Sequence, residues 1–348
     1  MKIISKFQYN WPIIGHTKLV EFLKKSLSQE KYSHGYIFVG PEGVGKETVA
    51  KFFVHSIICQ AANKDNLAMK EIPCYKCPVC QQINKKAYPD IFIIEKEQLK
   101  QNISIEQIRN LQHFLNLKSF ISSIKIALIL EAETLSEEAS NSLLKTLEEP
   151  YGNTIIILIS SRPDLLLPTI VSRCQIIRFG LVPEKLIYKH LIDMNVNRDL
   201  AKDITALTQG KVGKAINLVN SPEYLEYYEN KIDQFIEIMK VDLAESFRII
   251  SLMIPPKIKL QEITEELKAI LLIWKSVIRD QLLLKINLNQ LIVNKIRLEK
   301  LKKISQKYTF SKLTKLISDF DKTQLLLEKN INPKLLFENL VINIKQNI

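Results

Sequence analysis

The stretch Gly40-Pro41-Glu42-Gly43-Val44-Gly45-Lys46-Glu47-Thr48 has the spacing of a phosphate loop. Gly40, Gly43 and Gly45 free the backbone to turn N–H groups onto phosphate oxygens, and Lys46 is placed to reach the outer phosphates of a nucleotide. The residue after such a lysine is ordinarily Ser or Thr, whose hydroxyl binds Mg²⁺. Here it is Glu47, a carboxylate that repels a triphosphate, and Thr48 replaces the hydroxyl only by a change of register. A loop that keeps its shape without nucleotide is the alternative. Further on, Glu131 and Glu133 follow one apolar run, and Ser160 and Ser161 follow another. That sets acids and hydroxyls at the carboxyl ends of strands, where α/β sheets bind ligands. Ser172-Arg173-Cys174 then adds a guanidinium, whose planar fork suits phosphate oxygens.

A second constellation is made of sulfur. Cys59 is followed, after fourteen residues, by Cys74-x-x-Cys77-x-x-Cys80. Thiolates at two-residue gaps in a tight knuckle can meet one tetrahedral Zn²⁺, and Cys59 supplies a fourth sulfur. With no position left open, such a site is structural. Free thiols and an iron–sulfur cluster are the alternatives. Four of the five cysteines fall in this region, which in a reducing compartment suggests metal rather than disulfides. Cys174 stands apart and reads as a buried residue.

The elements that position these groups follow from apolar patterning. Residues 36–39 form an apolar strand running straight into the phosphate loop, and residues 49–58 resume a helical pattern. The wholly apolar runs 126–130 and 155–159 suit strands buried on both faces of a parallel sheet. Between them, Thr134-x-x-Glu137 reads as a capping box for a helix with Ala139, Leu143, Leu144 and Leu147 on one face. Ser104-x-x-Gln107 opens another helix, carrying Ile105, Ile108, Leu111 and Leu115. Residues 91–95 and 176–179 complete the sheet, and 180–183 read as a linker. Residues 184–220 make a small helical unit, and everything beyond about residue 225 is helical.

Bulk composition narrows the class. At 348 residues, with 46% hydrophobic and 25% charged residues, the chain is an ordinary globular protein of two or three domains. Only 9 glycines are present, and three of them sit between 40 and 45, which marks a local backbone requirement. A net charge of +12 favours an acidic partner such as DNA, although a Lys-, Ile- and Asn-rich composition raises the charge without any binding face. The Lys-rich run 295–307 reads as a solvated face. No apolar run approaches the roughly 18 residues of a membrane span, and the amino terminus lacks the apolar core of a signal peptide. This predicts a cytoplasmic protein with no membrane partner.

Taken in order, these pieces resemble the bacterial clamp-loader family of AAA+ ATPases, which serves DNA polymerase III. The resemblance is carried by His34-Gly-Tyr-Ile-Phe-Val-Gly40, the phosphate loop, the four-cysteine knuckle, Tyr88-Pro89-Asp90, Asn141-Ser-Leu-Leu-Lys-Thr-Leu-Glu-Glu-Pro150 and Leu167-Pro-Thr-Ile-Val-Ser-Arg-Cys174. A more distant echo is Asn330-Ile-Asn-Pro-Lys-Leu335. The resemblance implies an α/β AAA+ P-loop core over 1–180 with a zinc-knuckle insertion at 59–80. A helical lid over 181–222 and an all-α collar over 223–348 would follow. It also implies a role in placing a ring-shaped sliding clamp on primed DNA, beside gamma/tau-like motor subunits and a delta-like subunit, as part of a polymerase holoenzyme. Arg173 matches the arginine such subunits present to the ATP of a neighbour; a salt bridge sealing a strand end is its alternative.

The departures from the family pattern point one way. After the strand ending at Leu130 a motor subunit carries an aspartate–glutamate pair, and here the run is Glu131-Ala132-Glu133. Glu131 could still approach a metal, and Ser160 matches the polar tip that senses the γ-phosphate. Gly213 stands where the lid's sensing arginine would be, with Lys214 adjacent. The expectation is a non-motor subunit with little ATPase of its own, whose loop could still take ATP and Mg²⁺. The alternatives are an active gamma/tau-like motor, or a zinc-containing DNA-binding scaffold with a vestigial P-loop.

Overall fold

The computed structural model describes residues 8–59, 71–85, 88–97, 100, 102–254, 260–329 and 331–346. Residues 1–7 of the amino terminus and Asn330 of the last motif lie outside the described residues. The chain divides into two compact units, one of residues 1–187 with 210–214 and one of 188–209 with 215–348.

In the first unit the strands are β1 (Gln8–Tyr9), β2 (Gly35–Val39), β3 (Glu71–Ile72), β4 (Ile91–Ile94), β5 (Lys125–Ile129), β6 (Thr154–Ser160) and β7 (Gln175–Arg178). Five of them form one parallel sheet in the order β4-β5-β6-β2-β7, while β1 and β3 make a separate parallel pair. The helices of this unit are α1 (Thr17–Ser28), α2 (Lys46–Ile58), α3 (Pro78–Asn84), α4 (Ile105–Asn116), α5 (Glu137–Glu148) and α6 (Pro168–Val171). The sheet is covered on both faces, and the side-chain alternation of strands sorts its residues between two cores. Tyr36, Phe38, Ile126, Leu128, Ile155 and Ile157 pack with Val20, Leu23 and Phe53 of α1 and α2. Ile37, Val39, Ala127, Ile129, Ile156 and Leu158 pack with Ile108, Leu111, Leu143 and Leu147 of α4 and α5. This explains why the strands read as unbroken apolar runs rather than as alternating ones.

Helix starts were partly legible. α4 starts at Ser104 as expected, and Ser104 and Gln107 form a capping box there. The box expected at Thr134-x-x-Glu137 does not form. Residues Ala132–Thr134 are taken up by a 3₁₀ turn, Thr134 Oγ1 donates to Glu131 O at 2.8 Å, and Ser136 caps α5 by accepting from Ala139 N at 3.1 Å. The competing turn moves the helix start along the chain.

The chain continues through α7 (Glu184–Asp193), α8 (Arg198–Thr208) and α9 (Val212–Asn220). The rest of the second unit is helical: α10 (Pro222–Lys240), α11 (Leu243–Met253), α12 (Leu260–Lys285), α13 (Leu298–Ser305), α14 (Phe310–Glu328) and α15 (Pro333–Gln346). Its centre is Trp274, stacked on Phe235 at 5.0 Å and edge-on to Phe337 at 5.6 Å, with its Nε1 donating to Lys231 O. Buried Asp280 accepts from the amides of Val293 and Asn294 and from the Asn294 side chain, tying the segment before α13 onto α12. In the Lys-rich run, Arg297 pairs with Asp233 and Glu229, Lys300 with Asp233, and Lys302 with Glu299. No described helix is long and apolar enough to cross a membrane.

A buried carboxylate holds the end of the sheet remote from the phosphate loop. Asp90, just before β4, accepts from the amides of Phe120, Ile121 and Ser122 at 2.8, 2.9 and 2.9 Å. Burial alone would raise its pKa, but these amides and the Ser122 hydroxyl together hold it below the usual aspartate range. A native pKa below the unfolded value contributes stability that is present above the ordinary aspartate range and is lost as pH falls through it. Asp90→Asn should therefore cost about 2–3 kcal/mol at neutral pH and flatten the acid limb of the stability profile below roughly pH 5. Thermal unfolding across pH checks this, and a wild-type acid limb in the variant would refute it.

Candidate functional site

The phosphate loop is fixed from three sides. β2 ends at Val39, and the next amide, Gly40 N, donates to Ser160 O at 3.3 Å. Gly40 has φ +151°, and a Cβ there would stand 2.3 Å from Phe179 O, so no other residue fits. Gly43 and Gly45 have φ of +76° and +98°, and Gly45 is the N-cap of α2. His16 Nε2 lies 3.0 Å from Val44 O, with its ring edge-on to Phe179. Gly213 N donates to Gly43 O at 2.7 Å, and Lys211 and Lys214 flank Gly43. Three lysines thus surround a loop that opens a helix, an arrangement suited to phosphate.

Lys46 is only 6% exposed. Its Nζ donates to Gly40 O, Pro41 O and Ser161 Oγ at 2.5, 2.9 and 3.1 Å. Burial lowers its pKa; Glu133 and Glu42 act against that, and Lys211 adds to it. Burial also lowers the pKa of Lys214, with Lys211 contributing. Ser161 N donates to Glu133 Oε1 at 2.9 Å, and Glu133 Oε2 is enclosed with no hydrogen-bond partner among the described residues.

Among the nucleotide-site candidates, Gly40, Gly43, Gly45 and Lys46 come together. Thr48 is exposed and lines a cavity of about 850 Å³ with Lys51, His55, Tyr75 and Lys96. Glu47 pairs with Lys51 at 2.5 Å on the exposed side of α2, so its charge is directed into solvent. Glu131 has φ +48° and a side chain 59% exposed, and it pairs with Lys96 at 3.4 Å. Ser160 is buried, its Oγ accepting from Arg162 N. The hydroxyl and acid that face Lys46 are Ser161, directly after the expected Ser160, and Glu133, two residues after the expected Glu131. Nothing in the one-dimensional pattern ranks one above the other.

The four cysteine sulfurs lie within 4.8 Å of one another, close enough to hold one metal ion. Cys59 closes α2, Cys77 is the N-cap of α3, and Cys80 lies within α3. Cys74 N, Cys77 N and Cys80 N donate to the sulfurs of Cys59, Cys74 and Cys77, each at 3.4 Å. The knuckle turn passes through Tyr75 at φ +55°. The Cys80 thiol is pushed up first by the Cys59 sulfur beside it and then by burial. Cys174 is half-buried, and burial pushes its thiol up to about 12.

Arg173 follows α6. Its Nη2 pairs with Glu148 Oε1 at 2.7 Å, its Nη1 donates to Thr169 O and Ser172 Oγ, and the side chain is 36% exposed. A Cβ on Gly35 would stand 2.8 Å from Cys174 Sγ and 3.5 Å from Arg173 O. Arg173 therefore sits at the Gly35 end of β2, and the phosphate loop begins at the other end.

The family model described as "DNA polymerase III, delta subunit" matches residues 15–182. The DNA polymerase III subunit delta' of Bacillus subtilis is 28% identical over 330 residues, 94% of this chain and 96% of that protein. The delta' subunit of Pseudomonas aeruginosa is 35% identical over 144 residues, 41% of this chain and 42% of the relative. The tau subunit of Bacillus subtilis is 33% identical over 175 residues, 50% of this chain but 30% of that longer protein. A crystal structure of a DNA polymerase III gamma subunit-related protein from Thermotoga maritima superposes with a TM-score of 0.58 at 18% identity, covering 94% of this chain and 99% of that one. At that identity the likeness speaks for the fold. With a delta-subunit model over the sheet and a delta' relative along nearly the whole length, the chain is similar to the clamp-loader subunits of DNA polymerase III.

Proposed function

We propose that this chain is a delta'-like, non-motor subunit of a cytoplasmic clamp loader, which helps place a sliding clamp on primed DNA and presents Arg173 to the nucleotide of a neighbouring gamma/tau-like motor subunit. One observation carries the reading: Arg173 O lies beside Gly35, and the phosphate loop starts at Gly40. Five residues of extended strand separate the two by roughly 16 Å, beyond the reach of an arginine side chain. An arginine at the surface and out of range of its own loop is available to a nucleotide on another chain. There its fork would pair with γ-phosphate oxygens and offset the charge that spreads over them during phosphoryl transfer. A delta-like subunit completes the expected set of partners. Residues 181–222 would act as the lid and 223–348 as the collar of the assembly.

The chain's own loop would hold nucleotide and turn it over slowly. Lys46, Lys211 and Lys214 supply the positive charge for binding. Against turnover, Glu131 is directed to Lys96, and the Thr48 hydroxyl lies on the exposed side of α2. The knuckle would carry a structural Zn²⁺. Cys59 and Cys80 sulfurs are 3.6 Å apart and Cys74 and Cys80 3.8 Å, close to the edge of about 3.8 Å in a tetrahedron with Zn–S bonds of 2.3 Å. Four sulfurs leave no open position for catalysis, so the ion's contribution is to the fold.

Arg173→Ala should lower turnover at the facing motor site by roughly 10³-fold in a reconstituted loader, with assembly unchanged by size-exclusion chromatography. The half-exposed pair with Glu148 contributes at most about 1 kcal/mol, so unfolding does not produce this outcome. Undiminished ATPase would remove the trans-acting role. For the knuckle, elemental analysis should find one zinc per chain. Cys80→Ser or a strong chelator should remove it and destabilise the first unit by several kcal/mol, on the order of 3 or more. A purified chain without stoichiometric zinc would count against that site.

A further inference from the structure

Glu148 and Arg173 meet because the core beneath them leaves out a side chain. A Cβ on Gly35 would stand 2.8 Å from Cys174 Sγ and 3.3 Å from Leu147 Cδ2, so both residues close on the same point of β2. Leu147 of α5 and Ile170 of α6 also share one buried core, which fixes the ends of the two helices against each other. The residues next to Leu147 and Cys174 are thereby set side by side at the surface. Arg173 Nη2 pairs with Glu148 Oε1 at 2.7 Å.

An ion pair whose side chains are 36% and 48% exposed adds little to the stability of the fold. Its effect is on orientation. A long arginine side chain has much rotamer freedom to give up before its planar fork can serve a ligand. Two of its anchors are local, since Nη1 donates to Thr169 O at 3.1 Å and to Ser172 Oγ at 3.3 Å. Among the described residues, Glu148 alone meets the guanidinium with a charge and from another helix. The three contacts use at most three of the five N–H hydrogens of the guanidinium. The Nε hydrogen and at least one on Nη2 are left for a ligand.

We propose that Glu148 is a positioning residue, which fixes the Arg173 guanidinium through Nη2 so that its remaining hydrogens meet the phosphate oxygens of a nucleotide bound by the neighbouring subunit. This rests on the reading above that Arg173 acts in trans. Glu148 does not touch the nucleotide; it acts by removing freedom from the arginine before the neighbour's nucleotide arrives.

The test is steady-state turnover at the facing motor site of a reconstituted loader. Glu148→Ala should lower kcat by roughly tenfold. KM for ATP should stay within about twofold, because the fork is used in the transition state more than in binding. Glu148→Gln keeps the shape and an acceptor oxygen without the charge, and its kcat should fall between the two. Glu149→Ala removes the exposed acid next in sequence and should keep the wild-type rate. In a loader carrying Arg173→Ala, Glu148→Ala should have no further effect, since a residue that acts only through Arg173 has nothing left to position. A wild-type kcat in Glu148→Ala would overturn the positioning role, and so would a kcat above wild type, which would make Glu148 a mask over the arginine. A loss that persists undiminished in the Arg173→Ala background would overturn it as well, and each of these results leaves the trans-acting arginine standing. A wild-type rate in Arg173→Ala itself would remove both.

Discussion

A buried ammonium group cannot be left without acceptors, and the site is arranged around satisfying one. Lys46 is enclosed at the start of α2 and takes two carbonyls from its own loop and a hydroxyl from the tip of β6. The loop can offer those carbonyls only because Gly40, Gly43 and Gly45 adopt backbone angles closed to other residues. The β6 tip is within reach only because β2 and β6 are adjacent parallel strands in register, with Val39 opposite Ser160. Glu133 reaches the same place by a different route, through the turn after β5 and the Ser161 amide. Loop shape and strand order are thus conditions that one desolvated charge requires.

The parts of this arrangement that the sequence exposed are those set by short-range periodicity. Strands covered on both faces must be apolar at every position, so 126–129 and 155–159 stand out from any background. Glycine and cysteine spacings are equally plain, because αL backbone and tetrahedral sulfur geometry each admit few residue types. The hidden parts lie just past the strand ends. Strand alternation would assign roles to Glu131 and Ser160, but periodicity stops where the strand stops. Glu131 turns into a left-handed conformation and a 3₁₀ turn follows, which parts Glu131 from Glu133 where simple alternation would set both on one face. The same turn displaces the cap of α5 from Thr134 to Ser136. Contacts from residues 211–214 to Gly43 are long-range and leave no local trace.

The two buried aspartates show how similar groups meet different ends. Asp90 gathers three successive amides from one loop, and their combined pull outweighs the burial that would otherwise raise its pKa. Asp280 also accepts from successive amides, but it lies deeper, so burial prevails and its pKa is raised. The carboxylate of Asp90 is met by amides on both oxygens, with the Ser122 hydroxyl added. In Asp280 most donors likewise fall on Oδ2, and the Val293 amide also reaches Oδ1. Depth of burial, more than the arrangement of donors, separates the cases.

β7 connects the two ends of the sheet that matter most. The chain passes from Arg173 directly into β7, runs beside β2 with Tyr36 opposite Gln175 and Val39 opposite Arg178, and delivers Phe179 against Gly40. Both ends of β2 are therefore sealed by glycine against the same short segment: Gly35 by Cys174 and Arg173, Gly40 by Phe179. Four consecutive register pairs leave that segment no freedom to slide, since a shift of one residue would turn Ile177 out of the core and drive a side chain into the space beside Gly40. The separation between the surface arginine and the chain's own phosphate loop is thus set by hydrogen-bond register and does not depend on the rotamer of Arg173.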